Sequence, residues 1–171
     1  TKSIFLVTNG QEPDMIQKLQ DEDALPTQLY LSTNAADYES FIKINKPKYD
    51  DSWERWNRTL DMLKNLDTRT VLRITLIRDY NDQENMIPAF ADMFRKASPH
   101  FIEIKSYMHI GRSTNRLEHE NMLEMHEVKK FSEQIAIQSK IFSVMDESLV
   151  SRISILQNNE RFIDRWISSY A

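Results

Sequence analysis

Four strand-like runs alternate with helical stretches along most of this 171-residue chain. The runs are residues 3–8, 28–32, 71–77 and 101–111. The first is almost wholly apolar, which is typical of a strand buried in a parallel sheet. Strands separated by helices predict parallel pairing with right-handed crossovers. We therefore expect an α/β fold, either an open doubly wound sheet or part of a barrel, in a single domain of residues 1–171.

The segments between these runs carry helical patterns. Helices are expected over residues 12–20, 35–45, 84–96 and 121–139, and one more is expected after the cap-forming Asp50–Ser52 cluster. Two later apolar runs, residues 141–144 and 152–156, are candidate strands. Residues 159–171 are expected to form a C-terminal tail with helical character.

The run Phe101–Gly111 points to a functional site. Its even-numbered residues Ile102, Ile104 and Ser106 face one way in an extended strand, and Glu103, Lys105, Tyr107 and His109 face the other. The other three runs also end in polar groups: Thr8-Asn9-Gly10, Ser32-Thr33-Asn34 and Arg73-Ile74-Thr75. Because parallel sheets keep their functional groups at the carboxyl ends of strands, these four ends predict one shared site.

The charge balance excludes a generally basic nucleic-acid binder, because the net charge is −4. A local basic segment remains possible, since residues 104–117 contain Lys105, His109, Arg112 and Arg116 and no acid. The chain has no apolar run of about 20 residues and no visible signal peptide, so no membrane partner is expected. It also has no cysteine, which favours an intracellular, cytoplasmic protein.

Metal and nucleotide motifs are missing from the sequence. The four histidines, His100, His109, His119 and His126, lack the spacing of metal ligands, so we predict no metal site built from this chain's own residues. There is no P-loop, GxGxxG or GxSxG motif. The only two glycines, Gly10 and Gly111, each follow a strand-like run, and each is expected to meet a positive φ or a close approach.

Lys105 is the strongest single candidate for a catalytic residue. A lysine inside a strand can lose hydration, lower its pKa and form a Schiff base with a carbonyl substrate. Two structural interpretations compete with this one. Lys105 could instead pair with Glu103 inside a barrel, or it could lie on a solvated edge. Residue pattern alone leaves these alternatives open.

Several segments together resemble the tRNA 4-demethylwyosine synthase family, which consists of radical S-adenosylmethionine enzymes of the wybutosine pathway. The resemblance covers nearly all of the chain, in order and spacing. It is carried by Phe5–Gln11, Pro26–Ser32, Trp53–Trp56, Arg69–Ile77, Phe101–Gly111 and Ser151–Leu156.

The resemblance implies a partial (β/α) radical-SAM-type barrel that contains parallel strands 3–6 plus C-terminal elements. It implies a lyase or synthase that condenses pyruvate carbons with N1-methylguanosine at position 37 of a phenylalanine-type tRNA. In that family a [4Fe–4S] cluster, held by three cysteines and reduced by an electron donor, cleaves S-adenosylmethionine to a radical that abstracts hydrogen.

Residue by residue, the resemblance assigns contacts with S-adenosylmethionine to Thr8, Asn9, Gly10, Ser32, Asn34, Arg73, Thr75 and Asn81. It assigns Lys105, Tyr107 and His109 to the catalytic end of the sixth strand, and Arg112 and Arg116 to the tRNA backbone. Two positions depart from the family pattern. Asn34 stands where many such enzymes have Asp, and Asp79 stands where a glycine is common.

The resemblance places the three-cysteine motif upstream of Thr1, in a missing N-terminal segment or a second chain. A chain that opens in mid-strand at Thr1 also favours a segment of a longer protein. The chain alone is then expected to be inactive. A non-catalytic module that binds RNA or protein is one alternative function, and an unrelated barrel lyase or aldolase that uses Lys105 as a Schiff-base lysine is another.

Overall fold

The structure, a computed structural model, describes residues 2–167. Its strands are β1 (Phe5–Thr8), β2 (Gln28–Ser32), β3 (Arg69–Leu76), β4 (Phe101–Ser106), β5 (Phe142–Ser148) and β6 (Ile153–Asn158). Its α-helices are α1 (Pro13–Asp21), α2 (Tyr38–Asn45), α3 (Ser52–Met62), α4 (Ile87–Ala97) and α5 (Met125–Ser139). Short 3₁₀ turns cover Leu63–Asn65, Glu84–Met86, Gly111–Asn115 and His119–Asn121.

One six-stranded sheet has the order β1-β2-β3-β4-β6-β5. Strands β1 to β4 pair in parallel, and β6 runs antiparallel to both β4 and β5. The predicted α/β fold with parallel strands is therefore confirmed. The two late apolar runs are longer than predicted and form an antiparallel hairpin.

Alternate side chains of the strands divide the sheet into two faces. One face packs against the helices in a core that includes fully buried Leu31, Leu72 and Ile104, together with Trp56 of α3 and Phe94 of α4. The other face, called here the inner face, carries the side chains with the opposite parity, among them Tyr30, Arg73, Glu103 and Lys105. The polar groups predicted for a site thus lie on or beside the face that the helices leave open.

A second apolar cluster supports the carboxyl edge of the sheet. It contains Ile44 at the end of α2, Ile77 after β3, and Tyr107 and Leu117 after β4. The cluster anchors the end of α2 and the loops after β3 and β4 to each other, because each contributes at least one buried side chain.

Strand β4 ends at Ser106, whereas the sequence pattern predicted a strand through residue 111. Its partner β3 ends at Leu76, whose carbonyl accepts a 2.7 Å hydrogen bond from the Tyr107 amide. Beyond that bond no strand continues beside it, and Gly111 turns the chain at φ +63° into a 3₁₀ turn. Tyr107 and His109 therefore belong to a loop, and the prediction that they alternate with Glu103 and Lys105 in one strand is wrong.

Several helix predictions also need correction. Helix α4 begins at Ile87, after a 3₁₀ turn, rather than at residue 84, and α5 begins at Met125 rather than at residue 121. Helix α2 begins at Tyr38 rather than near residue 35, because the Asp37 carboxylate accepts a 2.9 Å bond from the Ser40 amide and caps it there. Residues 159–167 are not helical, and residues 168–171 of the predicted tail lie outside the described residues. Between residues 2 and 167, no helix is both long and apolar enough to span a bilayer.

Candidate functional site

The polar strand ends lie along one edge of the sheet, as predicted. The register places Ser32 beside Arg73 and Thr75 beside Lys105, so the ends of β2, β3 and β4 are direct neighbours. Two grooves follow this edge. The β1–β2 groove has a volume of about 370 Å³ and is lined by Asn9, Gln11, Ser32, Asn34, Phe41, Asn45, Lys46, Pro47, Lys48, Tyr49 and Trp56.

The β3–β4 groove has a volume of about 380 Å³. It is lined by Asn34, Ile44, Asn45, Thr75, Ile77, Lys105, Ser106, Tyr107, Met108, Ile110, Ser113, Arg116 and Leu117. Asn34 and Asn45 line both grooves, so the two grooves are adjacent at that point. Both volumes fall in the range usual for small-molecule sites.

The end of β1 is a tight polar turn. The Thr8 hydroxyl accepts a 3.0 Å bond from the Gly10 amide, and the Asn9 side-chain oxygen accepts a 3.2 Å bond from the Gln11 amide. Gly10 has φ +76°, and a Cβ there would lie 2.7 Å from Leu31 Cδ1 and 3.1 Å from Trp56 Cδ1. The glycine therefore makes room for the protein's own core, while exposed Asn9 remains as the group that faces the groove.

The end of β2 is held by α3 and by β3. The Ser32 carbonyl accepts a 3.1 Å bond from the Trp56 indole. The Asn34 side chain accepts a 3.1 Å bond from the Thr75 amide and donates a 3.3 Å bond to the Asn45 side-chain oxygen. Asn34 thus ties two strand ends to the end of α2 and forms the junction between the two grooves.

Asn81 lies behind this junction and is fully buried. Its amide group donates 2.9 Å bonds to the carbonyls of Asn34 and Thr75, and its oxygen accepts a 2.7 Å bond from the Ile77 amide. Its geometry is that of a residue that positions Asn34 and Thr75, rather than one that faces the groove. Nearby Asp79 has φ +68°, a backbone conformation that favours glycine.

Arg73 pairs with Glu103 on the inner face. The Arg73 Nε and Glu103 Oε1 atoms are 2.8 Å apart, and the guanidinium lies 4.4 Å from the centre of the Tyr30 ring. Burial raises the pKa of the Tyr30 phenol, the Glu103 carboxylate raises it further, and Arg73 partly offsets both effects. The Tyr30 hydroxyl therefore stays protonated and accepts a bond from Gln28.

Lys105 is left without the carboxylate that could have paired with it. Glu103 is engaged by Arg73, and no other carboxylate of residues 2–167 lies within ion-pair distance of the Lys105 ammonium. The alternative of a Glu103–Lys105 structural pair is therefore wrong. Lys105 is half-buried and lines the β3–β4 groove.

The loop after β4 carries the remaining predicted residues. The buried Tyr107 hydroxyl lies 3.2 Å from Nδ1 of half-exposed His109. Arg112 and Arg116 are exposed, and Arg116 lines the β3–β4 groove. Lys105, Tyr107 and Arg116 thus meet in one groove, whereas Arg112 lies outside its lining.

Sequence reasoning missed the contribution of α2 and the loop that follows it. Asn45, Lys46 and Lys48 line the β1–β2 groove, and Lys43 approaches the same edge from one turn earlier. The signal was present as three lysines at positions 43, 46 and 48 before an acidic pair. The three lysines could not be recognised as site residues from the sequence, because charged residues at a helix end usually face solvent and have no further role.

Iron–sulfur and other metal ligands are not provided by the described chain. The sequence has no cysteine, and residues 2–167 contain no group of three histidine or carboxylate side chains arranged to hold a metal ion. The residues present therefore do not fit a [4Fe–4S] cluster. They do supply hydroxyl, amide and backbone groups along a groove, which suit a polar organic ligand.

Comparison with known proteins gives consistent matches. The family model described as "Wyosine base formation" matches residues 96–158. The S-adenosyl-L-methionine-dependent tRNA 4-demethylwyosine synthase of Methanocaldococcus jannaschii is 41% identical over 162 residues, which are 94% of this chain and 48% of the relative. The Pyrococcus abyssi protein of the same name is 36% identical over 91% of this chain and 45% of the relative. The chain thus spans about half the length of these curated relatives.

Solved structures agree with the sequence matches. A TYW1 structure with a lysine–pyruvate adduct bound is 40% identical, has a TM-score of 0.82, and is matched over 94% of this chain and 49% of that one. The radical SAM enzyme coproporphyrinogen III oxidase (HemN) from Escherichia coli is 13% identical with a TM-score of 0.54, over 93% of this chain and 35% of that one, which shows a shared fold alone. The fold is therefore part of a radical-SAM-type barrel.

Proposed function

Because this chain belongs to the tRNA 4-demethylwyosine synthase family, we propose that it forms the cofactor-facing and substrate-facing part of a radical S-adenosylmethionine enzyme that modifies tRNA. The proposed reaction condenses pyruvate carbons with N1-methylguanosine at tRNA position 37. The observation that carries the proposal is the pair of adjacent grooves along the carboxyl ends of β1 to β4, both of which Asn34 lines.

The β1–β2 groove is proposed to bind S-adenosylmethionine. Asn9, Ser32 and Asn34 offer amide and hydroxyl groups for the ribose and for the amino acid part of the cofactor. Thr8, Gly10, Thr75 and Asn81 shape the turns that present these groups. When bound, S-adenosylmethionine supplies hydrogen-abstracting chemistry. The cluster that such chemistry requires does not fit this chain's residues, so its ligands are assigned to residues outside the chain.

Lys105 is proposed to bind the pyruvate carboxylate as an ion pair. Its ammonium has lost the Glu103 partner to Arg73, so a substrate carboxylate can take that position without displacing a protein group. A Schiff-base lysine is usually activated in a dry apolar pocket or beside another cation. Lys105 lies half-buried along an open groove rather than in a dry apolar pocket, which supports the ion pair. Arg116 lines the same groove, and a related structure holds a lysine–pyruvate adduct, so the covalent alternative is tested beside the ion pair.

The loop after β4 is proposed to hold the nucleoside. We assign the Tyr107 hydroxyl as the donor to His109 Nδ1, which leaves the His109 N–H on Nε2, where it can donate a hydrogen bond to substrate. Arg112 and Arg116 are assigned to tRNA phosphates. In this arrangement pyruvate lies at the end of β4, between the cofactor groove and the loop that carries the cations.

Lys105 variants of the full-length protein provide the test. Losing a charged contact costs about 1.5–3 kcal/mol, so Lys105→Ala is expected to raise the KM for pyruvate about 10-fold to 150-fold. Lys105→Arg keeps the charge and is expected to retain activity with a smaller rise in KM. The control is Lys64→Ala, which removes an exposed lysine near the start of β3, at the opposite edge of the sheet.

Three outcomes distinguish the alternatives. A wild-type KM in Lys105→Ala would remove this residue from pyruvate binding. Equal and complete loss in the Ala and Arg variants, together with loss of a borohydride-trapped pyruvate adduct, would favour a Schiff base on Lys105. Tight tRNA binding by an active-site-intact protein that yields no modified nucleoside would favour the alternative of a non-catalytic binding module.

A further inference from the structure

Cations without a carboxylate partner gather at the edge that carries the two grooves. Among residues 2–167, the side chains of Lys43, Lys46, Lys48, Lys105, Arg112 and Arg116 form no ion pair. Elsewhere in this net acidic chain most arginines and lysines of the helices do pair, as Arg55 does with Asp51. These six side chains are therefore free to meet an external anion, although the protein as a whole is net acidic.

Three of these cations surround one small cleft. The cleft has a volume of about 60 Å³ and is lined by Lys43, Ile44, Lys46, Ile77, Tyr80, Arg116 and Leu117. Its apolar residues belong to the buried cluster under the carboxyl edge, so its floor is rigid. The Lys43 ammonium lies 4.8 Å from the centre of the Tyr80 ring, which restrains that side chain without neutralising it.

The backbone around the cleft does not cancel its charge. Lys46 caps α2 in a left-handed conformation at φ +45°, and the carbonyl end of a helix carries about half a negative charge. Three full positive charges outweigh that fraction. The cleft is also far smaller than the 300 Å³ or more typical of sites for whole small molecules. It suits a compact anionic group rather than a nucleoside.

We propose that Lys43, Lys46 and Arg116 form a subsite for a backbone phosphate of the RNA substrate. This rests on the proposed function, because it names a contact for the tRNA. The cleft shares Ile44, Ile77, Arg116 and Leu117 with the β3–β4 groove, so a strand whose reacting nucleoside enters that groove carries a neighbouring phosphate past the cleft. Arg116 can bind phosphate through two N–H groups, and the lysines act as point charges.

The salt dependence of tRNA binding by the full-length protein tests the subsite. Each phosphate contact contributes about 0.7–0.9 to the slope of log K against log salt concentration. The double variant Lys43→Gln/Lys46→Gln is expected to lower the slope by about 1 and to weaken binding roughly 10-fold at low salt, with a smaller difference at high salt. The KM for tRNA should rise while the KM for pyruvate stays unchanged. Because Lys46 also lines the β1–β2 groove, Lys43→Gln alone is measured as well, and it should change the slope and the KM for tRNA in the same direction.

The chain offers a matched control, Lys64→Gln/Lys140→Gln. Lys140 caps α5 in the same left-handed conformation as Lys46, at φ +65°, but precedes β5 at the opposite edge of the sheet. This control should keep the wild-type slope. A wild-type slope in the Lys43/Lys46 variant would overturn the subsite and leave the Lys105 proposal standing. Failure of the unmodified protein to bind tRNA even at low salt would overturn the proposed function and the subsite together.

Discussion

Adding one methyl group at Gly10 should lower the stability of the fold more than adding one at Gly111. The Gly10→Ala substitution places a Cβ 2.7 Å from Leu31 Cδ1, 3.1 Å from Trp56 Cδ1 and 3.4 Å from Thr59 Cβ. Leu31 is completely buried and Trp56 is 2% exposed, so neither can move aside freely. The backbone also stays at φ +76°, a conformation that costs any residue with a Cβ.

The cost can be worked from these contacts. A left-handed conformation costs an alanine about 1–2 kcal/mol, and overpacking a core costs about 1–3 kcal/mol. The reduced entropy of the unfolded chain returns about 0.4–1 kcal/mol. The free energy of unfolding should therefore fall by about 1–4.6 kcal/mol, with a central value of about 3 kcal/mol. Gly111→Ala is the control, because Gly111 has φ +63° and no atom within 4 Å of the added Cβ, so only about 1 kcal/mol should be lost there.

Urea unfolding followed by circular dichroism measures both variants. The Gly10 variant should show the lower midpoint, with an unchanged dependence of the free energy on urea concentration. Equal losses in the two variants would refute the argument, since they would mean that the Leu31 and Trp56 contacts relax at no cost and that backbone strain accounts for the whole effect.

Two further predictions concern buried polar groups. Asn81→Ala should lower the free energy of unfolding by about 2–4 kcal/mol, because it removes the hydrogen-bond partner of the Ile77 amide and of the Asn34 and Thr75 carbonyls. A urea midpoint like that of the wild type would contradict this prediction. Burial, reinforced by Arg161 and Arg69, lowers the pKa of His100 from 6.5 to about 4. The unfolded chain therefore takes up this proton first, and the stability that neutral His100 contributes is present above pH 6.5 and lost as the pH falls towards 4. After allowance for partial exposure the loss should be about 1–2 kcal/mol, and the urea midpoints of His100→Gln at pH 7 and pH 4.5 should differ by less than those of the wild type.

The sequence pattern was enough to predict the parallel sheet and the edge that carries the site. Strand positions follow from runs of apolar and β-branched residues, and parallel pairing follows from the helices between them. Once the strands are parallel, their carboxyl ends must share an edge, which is why Asn34, Thr75 and Lys105 were expected together and are found together.

Contacts that depend on register could not be predicted in the same way. Glu103 is two residues from Lys105 in sequence, but its partner is Arg73, the residue directly opposite in β3. That pairing appears only when the alignment of the two strands is known. Likewise, the end of β4 at Ser106 is set by where β3 stops, and the alternating pattern that runs on to residue 111 contains no information about that.

The site residues divide into those that are buried and those that face the grooves, and the division has a physical consequence. Asn81 and Trp56 donate hydrogen bonds to backbone carbonyls at the strand ends. These bonds fix the positions of Asn34 and Ser32. Side chains positioned by such buried bonds hold a narrow geometry, and the proposed radical chemistry on a small substrate would depend on it. Lys105 is the exception, since no protein carboxylate holds it. Its freedom fits the proposed role of a group whose partner arrives with the substrate, and the same proposal applies to Lys43, Lys46 and Arg116 at the neighbouring cleft.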